Sequence, residues 1–150
     1  MTQAIRFLKK RNIFFEIVEY GHLEKGAVFA SEAIGMPLGQ TVKTLVVEIG
    51  KKRYLTLLVP GTKKVALKKL ARSYGEKRAA MVDSGTAERL TGYVVGGISP
   101  FAMKQALPVV IDRGLLGFDR VAINGGKRGL MLIMNPADIL EVADAEPAEL

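Results

Sequence analysis

An α+β domain with a mixed, curled or barrel-like sheet is the fold class the sequence predicts, and three observations predict it. Six short apolar or alternating runs, at 14–20, 42–49, 53–59, 108–111, 120–123 and 130–134, read as strands, for a sheet of about six to seven. Helical periodicity recurs between them without a strict strand–helix–strand alternation, which argues against a doubly wound parallel sheet. The chain of 150 residues has the usual size of one core-forming unit, and neither a repeat nor a linker divides it, so one domain over 1–150 is expected.

Each element has its own signal. Ala4, Ile5 and Leu8 share a helical face, which predicts a short amphipathic helix over 2–11 before the β-branched and aromatic run 14–20. Ser31 reads as the N-cap of a short helix stopped by Gly35. The runs 42–49 and 53–59 flank Gly50-Lys51-Lys52, which predicts a hairpin. Leu67, Leu70 and Ala71 at helical spacing, with Lys68 and Arg72 on another face and Gly75 beyond, predict a basic helix over 66–74. A capped helix over 83–90 ends at Thr91-Gly92 and leads into a glycine-rich segment up to Pro100. Asn135-Pro136 reads as an N-cap with proline at the first helical position, opening a helix to 142 before an acidic tail.

Composition narrows the function classes. Lys and Arg total 22 against 15 Asp and Glu, and the net charge of +7 favours an anionic partner such as nucleic acid. The excess is concentrated: Lys63, Lys64, Lys68, Lys69, Arg72, Lys77 and Arg78 crowd one stretch with only Glu76 among them. That cluster is either a phosphate-facing patch or an ordinary solvated helix face. Cysteine is absent, which excludes disulfides, thiolate metal sites and a cysteine nucleophile. The longest apolar runs fall far short of the roughly 20 residues that span a bilayer, and the basic N-terminus is followed by no apolar signal region. A cytoplasmic protein without a membrane partner is therefore expected.

Familiar catalytic kits do not assemble. His22 is the only histidine, and no serine lies in a G-x-S-x-G elbow. Asn124-Gly125-Gly126-Lys127-Arg128-Gly129 resembles a phosphate loop, yet Val121 stands where its first glycine belongs and Arg128 where it needs Ser or Thr. What remains is weaker in isolation. Strand alternation sets Lys43 on the face of Leu45 and Val47, as an ammonium at a strand end in water or at the rim of a low-dielectric pocket. Gly96-Gly97-Ile98-Ser99-Pro100 is either a tight turn or a rigid cradle of N–H donors, and residues 124–129 carry the same ambiguity.

In chain order, Tyr20, Lys43-Thr44-Leu45-Val46, the stretch 91–100 and Gly125-Gly126-Lys127-Arg128-Gly129-Leu130 together resemble the YbaK/EbsC family, relatives of the editing domain inserted in bacterial prolyl-tRNA synthetase. The similarity runs from the first helix to about position 142. It implies a mixed, closed β-barrel with flanking helices and deacylation of mischarged tRNA(Pro), Cys-tRNA(Pro) first, through substrate-assisted cleavage of the aminoacyl ester. Removal of alanine or another residue by bound water is the first alternative, and a non-catalytic aminoacyl-tRNA or nucleotide binder the second. By position, Lys43 matches the family's essential lysine, and residues 97–100 match its Gly-x-x-Pro loop, which makes Lys43 and Gly97 the catalytic candidates. Tyr20, Gly96, Ile98, Ser99, Pro100, Asn124, Gly125 and Gly126 become candidates for substrate binding, and Lys63, Lys64, Lys68, Lys69 and Arg72 for tRNA phosphates. Neither metal nor cofactor is implied; the partners implied are the acceptor end of a mischarged tRNA and prolyl-tRNA synthetase. The chain departs from many members in having Asn124 where they have serine, in lacking a carboxylate over 130–134, and in a shorter segment between Tyr20 and Lys43.

Overall fold

The computed structural model describes residues 1–21 and 26–150; His22 lies outside the described residues. In chain order the elements are α1 (Gln3–Lys10), β1 (Glu16–Glu19), α2 (Ala27–Ile34), β2 (Val42–Ile49), β3 (Arg53–Pro60), α3 (Leu67–Ser73), β4 (Ala79–Met81), α4 (Ser84–Thr91), β5 (Val109–Asp112), β6 (Val121–Asn124), β7 (Leu130–Met134), α5 (Pro136–Val142) and β8 (Glu146–Ala148), with 3-10 turns at Leu38–Gln40 and Arg113–Gly117. The strands form a three-stranded sheet ordered β1-β7-β6 and a five-stranded sheet ordered β4-β2-β3-β5-β8. The β2–β3 hairpin is antiparallel, whereas β3–β5 and β5–β8 run parallel, so the larger sheet is mixed.

The expected barrel closure is not seen among the described residues. The two sheets meet through a single parallel bridge, Thr41 to Ala122, and the larger one ends on both sides in three-residue strands, β4 and β8. Both short strands escape sequence reading because three residues carry no measurable alternation. In β8 the acidic tail pairs with β5, and Pro147 is tolerated there because an edge strand leaves one side free of hydrogen-bonding demands.

Alternation sorts the side chains into layers. Val47 and Ile49 of β2 and Leu55, Leu57 and Val59 of β3 pack under Leu70 of α3, while the opposite face of β2 sets Val46 against Ala87 and Leu90 of α4. Between the sheets lies the main core, where Leu8 of α1, Leu58, Phe101, Ile111, Ile123, Leu132 and Ile139 are buried together. Ala30 of α2 covers the outer face of the smaller sheet at Ala122, Met131 and Ile133.

Helix ends follow local chemistry. The Asp83 carboxylate accepts from the Thr86 N–H at 2.7 Å, the Asn135 side chain accepts from the Ala137 N–H at 2.9 Å, and Gly35 and Gly92 close their helices in the left-handed region. Ser31 corrects the sequence reading: α2 begins at Ala27 behind Gly26, so Ser31 is internal to the helix, and its hydroxyl donates to the Met36 carbonyl beyond the helix end.

Candidate active site

An opening in the hydrogen-bonding of the larger sheet makes the site. Strand β4 pairs only with Val47, Glu48 and Ile49, and the bridge to β6 is at Thr41, so the first half of β2 has an unpaired edge between them. A cavity of about 330 Å³ fills that gap, with Tyr20, Lys43, Thr44, Val46, Ala87, Gly96, Ile98 and Asn124 among its walls. The Val46 carbonyl accepts from the Val82 N–H at the end of the gap, and the Thr56 N–H turns away to Pro108, so alternation directs the Thr44 peptide groups to the open edge.

Lys43 sits at the rim of this cavity, half-buried, and its ammonium donates to the Lys63 carbonyl at 2.5 Å. Burial lowers its pKa from the ordinary lysine value, because desolvation penalises the charged form. Thr44 faces the other side of β2 from Lys43, and among the described residues its hydroxyl is the one buried side-chain polar atom without a hydrogen-bond partner. Tyr20 packs its ring against Phe29, its N–H donates to the Gly129 carbonyl, and burial raises its pKa.

The two glycine-rich segments are docked on each other. Asn124 donates from Nδ2 to the Gly96 carbonyl at 3.1 Å and accepts at Oδ1 from the N–H groups of Gly126 and Lys127. Arg128 Nε donates to the Val95 carbonyl and Glu88 accepts from the Val95 N–H, both at 2.8 Å. The Tyr93 hydroxyl donates to the Phe101 carbonyl across the turn, and burial pushes its pKa up to about 12. Four of these hydrogen bonds hold residues 93–101 in one shape.

The residues expected at the site from sequence stand at different places relative to the cavity. Gly97 does not line the cavity, and its N–H is committed to the Val94 carbonyl at 2.8 Å, which leaves it no free amide donor. Its lack of a side chain lets residues 127 and 128 pass within contact distance. On this loop, the N–H groups of Gly96 and Ile98, both of which line the cavity, have no hydrogen-bond partner among the described residues. Ser99 and Pro100 are buried behind the turn, and the Ser99 hydroxyl accepts from the Phe101 N–H. Gly125 and Gly126 lie one layer back, against Leu130 and against Tyr93 and Thr2 respectively.

Among the basic residues, Lys63 is tied to Asp112 by an ion pair of 2.8 Å, whereas Lys64, Lys68, Lys69 and Arg72 are exposed. Sequence reasoning missed Thr44, Glu88 and Asp112. For Thr44 the signal was present, since alternation places it opposite Lys43, but an isolated threonine in a strand carries no mark of function.

Comparison with known proteins identifies the family. The profile of the family described as "Aminoacyl-tRNA editing domain" matches residues 24–142. The "Putative Cys-tRNA(Pro)/Cys-tRNA(Cys) deacylase EbsC" of Enterococcus faecalis (strain ATCC 700802 / V583) is 29% identical over 99% of this chain and 92% of its own length. The "Multifunctional Ser/Thr-tRNA deacylase ProXp-y" of Escherichia coli (strain K12) is 30% identical over 96% of this chain and 88% of its own. A solved structure described as "Crystal structure of a putative trans-editing enzyme for prolyl tRNA synthetase" superposes with a TM-score of 0.87 at 30% identity, covering 100% of this chain and 97% of its own. The hypothetical protein APE2540 shares the fold, with a TM-score of 0.89 at 24% identity over 98% of this chain and 97% of its own. A family profile that spans most of the sequence, with whole-length relatives beside it, means that this chain belongs to the aminoacyl-tRNA editing domain family.

Proposed function

We propose that this aminoacyl-tRNA deacylase removes a small amino acid with a polar β-substituent from the 3′ end of a mischarged tRNA, with Cys-tRNA(Pro) as first substrate. The observation that carries the reading is one cavity lined by Lys43 and by Gly96 and Ile98, whose amides have no hydrogen-bond partner among the described residues. An aminoacyl ester is already activated, so a protein that orients it and stabilises the developing oxyanion needs no nucleophile of its own. With cysteine, the substrate thiol attacks its own carbonyl carbon. A C–S bond forms, the C–O bond to the ribose breaks, the ribose oxygen takes up the proton, and water opens the resulting thiolactone. With other residues, a bound water attacks the same carbon and the free amino acid leaves. Lys43 holds the ester oxygens, and Gly96 and Ile98 donate to the carbonyl oxygen.

The likeness to the Ser/Thr-tRNA deacylase favours a second reading in which serine or threonine is removed. The deciding experiment is deacylation of cysteinyl-, seryl-, threonyl-, alanyl- and prolyl-tRNA under single-turnover conditions. Rapid loss of a polar-side-chain ester, with alanyl-tRNA slower, is expected. Preferential removal of alanine or proline by the parent protein defeats the specificity assignment, and no deacylation at all points to a binding module.

The exposed Lys64, Lys68, Lys69 and Arg72 lead from the Lys43 end of the cavity over α3, and we assign them to acceptor-stem phosphates. Four such contacts should weaken tRNA binding on the order of a hundredfold between about 50 and 200 mM salt. A flat salt response in a filter-binding titration removes this part of the assignment.

A further inference from the structure

We infer that Lys63 and Asp112 form a positioning pair that fixes the direction of the Lys43 ammonium, and that Lys63 is not a phosphate contact. Lys43 donates to the backbone carbonyl of Lys63, so wherever residue 63 points its carbonyl, the ammonium follows. Residue 63 lies in an irregular segment between β3 and α3, where no strand or helix sets the direction of a peptide group. Two anchors replace them. Its N–H donates to the Pro60 carbonyl at 3.0 Å, and its side chain reaches across to Asp112 at the end of β5.

Asp112 is built to be a fixed point. It is 3% exposed, accepts from the Lys63 ammonium and the Leu150 N–H at Oδ1, and accepts from the Gly114 N–H at Oδ2. Burial works to raise its pKa, but hydrogen bonds from the Lys63 side chain, Leu150 and Gly114, together with the Lys63 charge, outweigh it and hold the carboxylate below its ordinary range. The carboxylate is therefore ionised at neutral pH. A cation committed to a buried carboxylate is poorly placed to neutralise a phosphate, whereas Lys64 next to it is exposed. The chain of contacts thus runs from the rigid end of β5 through both ends of one residue to the amine at the cavity rim.

The inference rests on the reading that Lys43 acts on the ester, and the experiment separates the two. Single-turnover and steady-state kinetics are measured for Lys63→Met, Asp112→Asn, their double variant and Lys63→Arg, beside Lys43→Ala. If Lys43→Ala remains active, the function assigned to Lys43 fails. With Lys43→Ala inactive, positioning predicts that Lys63→Met loses kcat on the order of tenfold or more while KM stays within about twofold. Asp112→Asn should lose a similar factor and the double variant no more than either alone, because both break one tether. Lys63→Arg, which still pairs with Asp112, should retain most of kcat. A raised KM with kcat preserved in Lys63→Met is the mark of a phosphate contact and overturns the inference. So do losses that multiply in the double variant, or a Lys63→Arg variant as impaired as Lys63→Met.

Discussion

Lys43→Ala is expected to abolish deacylation while leaving the domain folded. Removing one preorganised charge or donor from a site of this kind costs about 10²–10³ in rate. Lys43 is the only cation on the cavity wall among the described residues, so nothing nearby substitutes for it. Stability should change little, because the side chain is half-buried, lies at the start of β2, and leaves the Lys63 carbonyl within reach of water. The pH dependence follows from the direction of its shift. Burial lowers the Lys43 pKa, so the ammonium is lost as pH rises through a value below that of a free lysine. Enzymatic deacylation, with uncatalysed ester hydrolysis subtracted at each pH, should therefore fall on the alkaline side earlier than an ordinary lysine would require. An alanine variant that retains full activity, or that melts far below the parent, removes Lys43 from the chemistry.

How far the sequence foretold this site depends on whether the signal was local. The hairpin of β2 and β3, the caps at Asp83 and Asn135, and the glycine stops at Gly35 and Gly92 are decided within a few residues, and each is found where sequence reasoning puts it. Lys43 was set on the face of Leu45 and Val47 by the two-residue repeat alone, and Leu45 and Val47 do pack on the α3 side toward which its ammonium reaches. What sequence could not disclose is long-range. The free edge of β2 exists because β4 stops after three pairs, and the Lys63–Asp112 tie joins positions 49 apart. Gly97 is the instructive case. As a motif residue it suggested a donor to substrate, but whether an amide is free depends on which carbonyl the turn brings to it, and here that carbonyl is Val94. The requirement for glycine is real, and its reason is the partner loop.

That reason makes Gly97→Ala the second large effect. A Cβ at this position would lie 2.8 Å from Arg128 N and the Lys127 carbonyl carbon and 2.9 Å from Lys127 Cα. These are backbone atoms, which cannot swing aside as a side-chain tip can, so residues 93–101 and 124–129 must separate. Separation stretches the Arg128 to Val95 and Asn124 to Gly96 hydrogen bonds and carries the Gly96 and Ile98 amides away from their positions on the cavity wall. Overpacking of this kind costs about 1–3 kcal/mol in stability, and a displaced donor set should cost on the order of a hundredfold in rate. Gly97 has no positive φ, so the penalty is steric rather than conformational. Gly39→Ala is the matched control, since a Cβ there meets nothing within 4 Å and its φ is not positive either. Thermal melting and single-turnover deacylation of both variants read the two effects separately. If Gly97→Ala melts and turns over like the parent, the loops are not pressed together as described, and the free amides of Gly96 and Ile98 lose the scaffold that aims them.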